Sequence, residues 1–249
     1  MIGKEHTPVL RTTVNALMKI DESLAQANPD TLIFITSHLV TATPAIAFNI
    51  CPTYETNFEE YGDYATKITV PGDPAFAQQL KQPFDTDRQT VPIVVVSRPV
   101  LDHGISTPLS YLRVRSSVHL VPIGDSLTTH GQELAVGAKL RTYLLQTHRR
   151  VALLASANLS HRLSSTSPAG YSPKAKAFDR RVLTLITHHQ PTALARIRTS
   201  TLAEVQACGL GPILMLFGLL AGTDLKPELL AYESPFGIGH PTLLFAFQA

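Results

Sequence analysis

Short, continuous apolar runs alternate along this chain with longer stretches in which apolar residues recur every three or four positions. The clearest run, residues 31–35, ends in the polar residues Thr36, Ser37 and His38. A run of this kind predicts a strand that is buried on both faces and delivers polar side chains at its carboxyl end. Similar runs predict strands at residues 92–97, 119–123, 151–156, 228–232 and 242–247.

The helical stretches lie between these runs. Near the start, an apolar stripe at helical spacing predicts a helix over residues 8–27, which Asn28-Pro29 ends. Strands that alternate with helices of ten or more residues imply parallel crossovers. We therefore expect a three-layer α/β/α sandwich with a mostly parallel central sheet, formed as one domain by residues 1–249. The other predicted helices cover residues 73–82, 129–147, 173–188, 192–207 and 212–220.

Composition narrows the classes of partner. The chain has 21 Lys and Arg against 19 Asp and Glu, and no basic block, so nucleic acid is not expected as a partner. Two cysteines, Cys51 and Cys208, are too few for a disulfide framework, which together with the lack of a signal-peptide pattern predicts a cytoplasmic setting. The longest apolar run, residues 209–222, contains Pro212 and is shorter than the roughly 20 residues that cross a bilayer, so no membrane contact is expected.

Four polar groups follow predicted strands and are candidates for site residues. Open α/β sheets bind ligands beyond the carboxyl ends of their strands, so residues at these positions are expected to meet at one edge. Taken singly, a histidine at a strand end is more often structural than a ligand, and a lone carboxylate there is often solvated. The four candidates are His38, His103, His161 and Glu233.

Several motifs occur in a recognisable order and spacing. They are Leu-Asp-His-Gly at 101–104 with Pro108-Leu109, the stretch 155–163, Phe178-Asp179, and Tyr-Glu-Ser-Pro-Phe-Gly-Ile-Gly at 232–239. Read together, they resemble the B-subunit (LigB-like) superfamily of class III extradiol ring-cleavage dioxygenases. The resemblance extends to its Memo-like branch, associated with radical-SAM systems, and spans nearly the whole chain.

The resemblance implies a chemistry and a set of roles. Members of this superfamily hold non-haem Fe(II) with two histidines and one carboxylate, and cleave a catechol-type aromatic with O₂. On this basis His38 is an imidazole ligand and Glu233 the carboxylate ligand. His161 is the principal acid–base, and His103 is the partner that hydrogen-bonds O₂ or the substrate. A homodimer is also expected from the resemblance.

The sequence departs from the family pattern in three respects. In that family the first metal histidine lies just after an opening strand, upstream of the segment that residues 2–6 resemble, so we expect that strand and histidine to be missing here. His6 lies in a loop before a helix and is not predicted to replace it. The other departures are Asn158, where the branch typically has aspartate, and His240, where it often has an aromatic residue. A reduced ligand set predicts weaker metal binding, and the absence of the opening strand predicts an exposed sheet edge or a gap where a central strand belongs.

Two alternatives to the iron enzyme stay open. The first is a Memo-like binding or accessory protein with a degenerate metal site, which the missing histidine and Asn158 favour. The second is a zinc hydrolase that uses the same ligands, with Zn(II) in place of Fe(II). No nucleophile-elbow pattern surrounds Ser156 or Ser160, which argues against serine hydrolase chemistry.

Overall fold

The computed structural model describes residues 8–85, 91–125 and 130–247. Its strands are β1 (Thr31–Thr36), β2 (Ile46–Asn49), β3 (Thr53–Thr56), β4 (Thr69–Pro71), β5 (Ile93–Val96), β6 (Val100–Leu101), β7 (His119–Asp125), β8 (Val151–Ala155), β9 (Leu225–Glu233) and β10 (His240–Phe247). Its helices are α1 (Arg11–Ala27), α2 (Pro74–Lys81), α3 (His103–Leu109), α4 (Gln132–Leu144), α5 (Ala175–Thr187), α6 (Pro191–Ala195), α7 (Thr199–Val205) and α8 (Leu210–Leu219).

A five-stranded sheet in the order β5-β2-β7-β1-β8 forms the centre of the fold. β1 pairs in parallel with β7 and β8, and β2 pairs in parallel with β5 but antiparallel to β7. All six residues of β1 are buried, as its continuous apolar run predicts. The expected fold class, an α/β protein with a mostly parallel sheet, is confirmed.

Helices cover both faces of this sheet. On one face, α2, α4 and α8 enclose a core with the inward side chains of the strands, including Ile33, Ile35 and Val121. On the other face, Leu32 and Phe34 pack against α3 and against a small sheet of β4, β3 and β6 in that order. Successive side chains of β1 therefore point alternately into two separate cores, one on each face of the sheet.

The last two strands differ from the expectation that they extend the central sheet. β9 and β10 form their own antiparallel pair, in which His240 lies opposite Glu233. This hairpin packs with α5, α6, α7 and α8 around a third core that includes Phe178 and Phe217. Short apolar runs predict a strand but do not specify its partner, which explains the error.

The predicted helix over residues 192–207 is two helices, α6 and α7. The buried side chains of this segment are Leu194, Ile197, Leu202 and Val205. Residues on one face of a helix recur every three or four positions, but Ile197 and Leu202 are five apart, so one continuous helix would not turn both toward the core. A break at Arg198, which has extended backbone, lets both halves face the same core.

In the part of the chain that the structure describes, no helix has the length and apolar character to span a bilayer. β8 forms one edge of the central sheet, and all five of its residues are partly exposed.

Candidate functional site

His38 lies just beyond the end of β1, where three hydrogen bonds fix the chain. Thr36 Oγ1 donates to Asp102 Oδ1 over 3.0 Å and accepts from the His38 backbone N–H over 3.1 Å. Asp102 Oδ1 also accepts from the Gly104 N–H over 2.8 Å, which makes Asp102 the N-cap of α3. As a result, the ring centroids of His38 and His103 lie 4.1 Å apart.

The route by which His103 reaches this position differs from the expected one. β5 runs opposite to β1 and β7, so its carboxyl end lies at the other edge of the sheet. The chain returns through β6, and Asp102 then contacts Thr36 at the end of β1. His38 therefore lies where the sequence predicted it, beyond the carboxyl end of its strand. The position of His103 is instead determined by Asp102, the N-cap of α3.

The environment of His38 favours its neutral form. Burial lowers the pKa of His38, the nearby imidazoles of His103 and His161 lower it further, and Asp102 opposes this shift in part. A neutral imidazole is the form that coordinates metals or accepts a hydrogen bond. The effect of His161 also shows that this third predicted histidine lies within electrostatic range of His38.

His161 belongs to the irregular loop over residues 158–172. Its backbone N–H donates to the Val205 carbonyl over 3.0 Å, and the preceding Ser160 N–H donates to Asp179 Oδ1 over 2.9 Å. Among the described residues, the buried Nδ1 of His161 has no hydrogen-bond partner. An orphaned buried ring nitrogen is costly for a purely structural residue, which favours a functional role for His161.

The two departures from the family pattern contact each other. His240 Nδ1 lies 3.0 Å from Asn158 Oδ1; since the amide oxygen accepts, the imidazole donates from Nδ1. Burial lowers the pKa of His240 to about 4, His161 contributes to the lowering, and Glu233 opposes it. His240 is therefore a neutral histidine beside His161. In the sequence, His240 stands out only as a departure from the resemblance.

Glu233 lies at the start of α1. Glu233 Oε2 accepts from the Thr13 backbone N–H over 2.7 Å and from Thr13 Oγ1 over 2.6 Å, and Oε1 accepts from the Thr12 N–H over 3.3 Å. The N-cap residue Leu10 has no side chain that can cap the helix, so Glu233 does so from 220 residues away. Burial acts to raise the pKa of Glu233, but these hydrogen bonds outweigh it and lower the pKa.

Two further residues near the histidines were not predicted. Tyr61 lies edge-on to His103 with centroids 6.2 Å apart, and burial and Glu60 raise its pKa to about 12. Cys208 Sγ lies 3.9 Å from the Asn158 carbonyl oxygen, and burial raises the pKa of its thiol. Their signals in the sequence are weak: Tyr61 lies in a stretch without helical or strand periodicity, and Cys208 begins an apolar stretch.

The described residues do not fit a complete metal centre. Among them, no three or more His, Cys, Asp or Glu side chains are grouped so as to hold a metal ion. His38 contacts His103, and both carboxylate oxygens of Glu233 already accept hydrogen bonds from α1. His6 lies outside the described residues. A three-ligand iron site is therefore not available from this part of the chain.

Together these features define an α/β protein with a group of histidines near the carboxyl end of β1. The chain belongs to the family described as the catalytic LigB subunit of aromatic ring-opening dioxygenase, whose model matches residues 1–242. Proteins of this family typically bind a metal.

Comparison with individual proteins gives distant matches. Protein CA_C1420 of Clostridium acetobutylicum is 22% identical over 249 residues, which cover 96% of this chain and 53% of that protein. The chain thus spans about half the length of this curated relative. The crystal structure of the uncharacterized protein JW3007 from Escherichia coli K12 matches with a TM-score of 0.67 and 18% identity, covering 92% of this chain and 91% of that one. This second likeness shows the fold alone.

Proposed function

We propose that this protein is an extradiol-type oxidoreductase that opens a catechol-type aromatic ring with O₂ and depends on non-haem Fe(II). The observation that carries the proposal is the ring contact between His38 and His103, with His161 within electrostatic range. Membership in the ring-opening dioxygenase family supports it. The small aromatic substrate and O₂ are the reactants that follow from this reaction class.

The proposed roles follow from the chemistry of the side chains. His161 takes the proton from a phenolic hydroxyl of the bound diol and returns it to a product oxygen, because imidazole exchanges protons near neutral pH. His103 hydrogen-bonds the substrate or O₂. His38 and Glu233 are the proposed metal ligands, and the lowered pKa of each favours the unprotonated form that a ligand needs. When bound, iron would supply the activation of O₂.

Reconstitution tests this proposal. The protein is loaded anaerobically with Fe(II), its metal content is measured, and a panel of catechols is assayed in air for coloured ring-opened products. We expect turnover that His161→Ala abolishes and that replacement of the exposed His148 by Ala leaves unchanged. Iron bound without any turnover across the panel contradicts ring cleavage. Retention of Zn(II) rather than Fe(II), with hydrolytic activity in place of ring cleavage, indicates the zinc hydrolase instead.

A second function is a Memo-like binding or accessory protein with a degenerate metal site. Three observations favour it: the lack of a three-ligand group in the described residues, the engagement of Glu233 with α1, and the Asn158–His240 hydrogen bond. This function predicts weak iron retention, and binding of a partner or small ligand that survives His161→Ala.

A matched pair of variants separates the two functions. Glu233→Gln keeps an oxygen that can accept from Thr13 but weakens a metal ligand, whereas Thr13→Val removes one hydrogen bond to the carboxylate and leaves both of its oxygens present. For the iron enzyme, we expect Glu233→Gln to reduce the bound iron far more than Thr13→Val does. Equal iron content in both variants favours the accessory protein.

A further inference from the structure

Tyr61 is an exposed aromatic side chain beside the histidines near the end of β1. Its ring centroid lies 6.2 Å from that of His103 in an edge-on arrangement. The ring of His103 lies in turn 4.1 Å from that of His38, tilted by 44°. Tyr61 is 43% exposed, whereas both histidines are partly buried. Of these three rings in successive contact, Tyr61 is therefore the one that offers the most surface to a ligand.

The turn that carries Tyr61 is held by its own hydrogen bonds. It is a short 3₁₀ turn over Glu59–Tyr61, and the residue before it, Phe58, is 2% exposed and anchors it. The Phe58 carbonyl accepts from the Tyr61 N–H over 2.9 Å and from the Asp63 N–H over 3.2 Å. Asp63 Oδ1 accepts from two of the next three backbone N–H groups, over 3.0 Å each. A segment fixed in this way loses little conformational freedom when a ligand binds.

The hydroxyl of Tyr61 already has a partner. Partial burial and the hydrogen bond to the Glu60 side chain raise the pKa of Tyr61 to about 12. The hydroxyl therefore stays protonated at neutral pH and donates to Glu60. This leaves the ring as the part of Tyr61 that is available to a ligand.

An exposed aromatic residue is not in itself a binding residue, since single apolar side chains are common on protein surfaces. Tyr64, three residues further along the same loop, is an example: it is 71% exposed and has no ring contact among the residues that the structure describes. Tyr61 differs from Tyr64 because it contacts a histidine of the candidate site. That contact is what assigns the two tyrosines different roles.

We propose that Tyr61 is a specificity-determining residue whose ring packs against the aromatic ring of a catechol-type ligand bound beside His103. Aromatic rings attract one another in offset or edge-on arrangements with centroids about 4.5 to 7 Å apart, so a ligand ring near His103 is within reach of Tyr61. This inference rests on the proposed function and adds the residue by which the site recognises the ring of its substrate.

The test is the binding of 4-nitrocatechol to the metal-free protein, followed by the change in its visible absorbance. Tyr61→Ala is expected to weaken binding about three- to tenfold, the size expected for one aromatic pair. Tyr61→Phe keeps the ring and should retain most of the affinity. Tyr64→Ala removes an equally large ring from the same loop and is the matched control. Wild-type affinity in Tyr61→Ala, the same loss in Tyr64→Ala, or a loss as large in Tyr61→Phe overturns the proposal.

A second measurement locates the ligand without any substitution. Addition of 4-nitrocatechol to the wild-type protein should shift the ring NMR signals of Tyr61 and His103, because a packed aromatic ring changes the magnetic field at its neighbours. The ring signals of Tyr143, which packs against Phe76 in the core beside α2 and α4, should stay in place. No binding by the wild type, or binding that leaves the Tyr61 signals unmoved, refutes the inference.

Neither measurement requires iron or turnover. If Tyr61→Ala weakens the binding of 4-nitrocatechol while the iron-loaded protein cleaves no catechol, the role of Tyr61 stands and ring cleavage fails. If catechols are cleaved while Tyr61→Ala binds 4-nitrocatechol as the wild type does, the proposed function stands and the role of Tyr61 fails.

Discussion

The two ends of the candidate site are built in different ways. The β1–α3 end comprises Thr36, His38, Asp102 and His103, and the hairpin end comprises Asn158, Asp179, Tyr232, Glu233 and His240. At the β1–α3 end, two short segments are joined by one carboxylate, Asp102, which also caps the helix that follows it. At the hairpin end, contacts join the 158–172 loop, α5, β9, β10 and the start of α1.

The difference bears on how each end responds to substitution. At the hairpin end, Asn158 and His240 form one hydrogen bond, so a change of either residue alters a partly buried polar pair. At the β1–α3 end, the Asp102 carboxylate accepts from both the strand end and the helix start, so its loss would affect both segments.

The largest expected effect on stability comes from replacing a glycine by alanine, which we compare at the hairpin end and at the β1–α3 end of the site. In Gly239→Ala, the new Cβ would lie 2.1 Å from a buried oxygen of Asp179, whereas in Gly104→Ala it would lie 2.9 Å from Asp102 and Ser156. We expect Gly239→Ala to lower the free energy of unfolding by about 2 to 3 kcal/mol. Gly104→Ala should change it by less than about 1 kcal/mol, because alanine also favours the helix. Urea denaturation measures both, and equal losses contradict the tighter closure of the hairpin end.

The second prediction concerns acid sensitivity. The pKa of His240 is lowered from its ordinary value to about 4, so the folded state binds this proton less readily than the unfolded chain does. Its contribution to stability is therefore complete above about pH 6.5 and is lost progressively as the pH falls from there to about 4. His240→Gln, which can still donate to Asn158, should remove this loss and narrow the difference between pH 7 and pH 5 by about 1 to 2 kcal/mol.

Urea midpoints at several pH values measure this effect. His38 and Asp179 titrate in both proteins, so the difference between wild type and variant isolates His240. The exposed His148→Gln should behave as the wild type. A His240→Gln protein that loses stability with acid as steeply as the wild type shows that His240 is not the responsible group.

The third prediction tests the long-range cap. Glu233→Ala removes the acceptor at the start of α1 and should cost about 1 kcal/mol, while Glu233→Gln should cost less because it keeps an oxygen acceptor. Hydrogen exchange at Thr12 and Thr13 should accelerate in the alanine variant before other helices are affected. Exchange that is unchanged at these two amides argues that Glu233 does not hold the helix.

The sequence predicted those parts of the fold that depend on local pattern. Continuous apolar runs predicted β1, β7 and β8, and Asn28 ends α1 in the left-handed conformation, with Pro29 following it. β2 has only four residues, and its antiparallel pairing with β7 has no local signature. α3 is short and contains Pro108, which conceals it from a search for helical periodicity. The single domain and the homodimer stay predictions.

The candidate site was predicted less completely. Motif order singled out His38, His103, His161 and Glu233, and two of these are in ring contact. The pairs Asn158–His240 and Thr13–Glu233 are separated by 82 and 220 residues, so no spacing along the chain indicates them. Such contacts depend on how the hairpin packs against α1 and α5, which local propensity does not determine.

The smallest expected effect is at the β1–α3 end, where the hydroxyl of Thr36 joins His38 to Asp102. Thr36→Val keeps the shape and strand preference of the side chain but removes a donor to Asp102 and the acceptor for the His38 N–H. Asp102 retains the Gly104 N–H, so the loss should be only about 0.5 to 1 kcal/mol, and Thr36→Ser should recover most of it. Chemical-shift changes confined to residues 36–38 and 102–104 would show that this end is held locally. Changes that extend to His240 or Glu233 would show that the two ends are coupled.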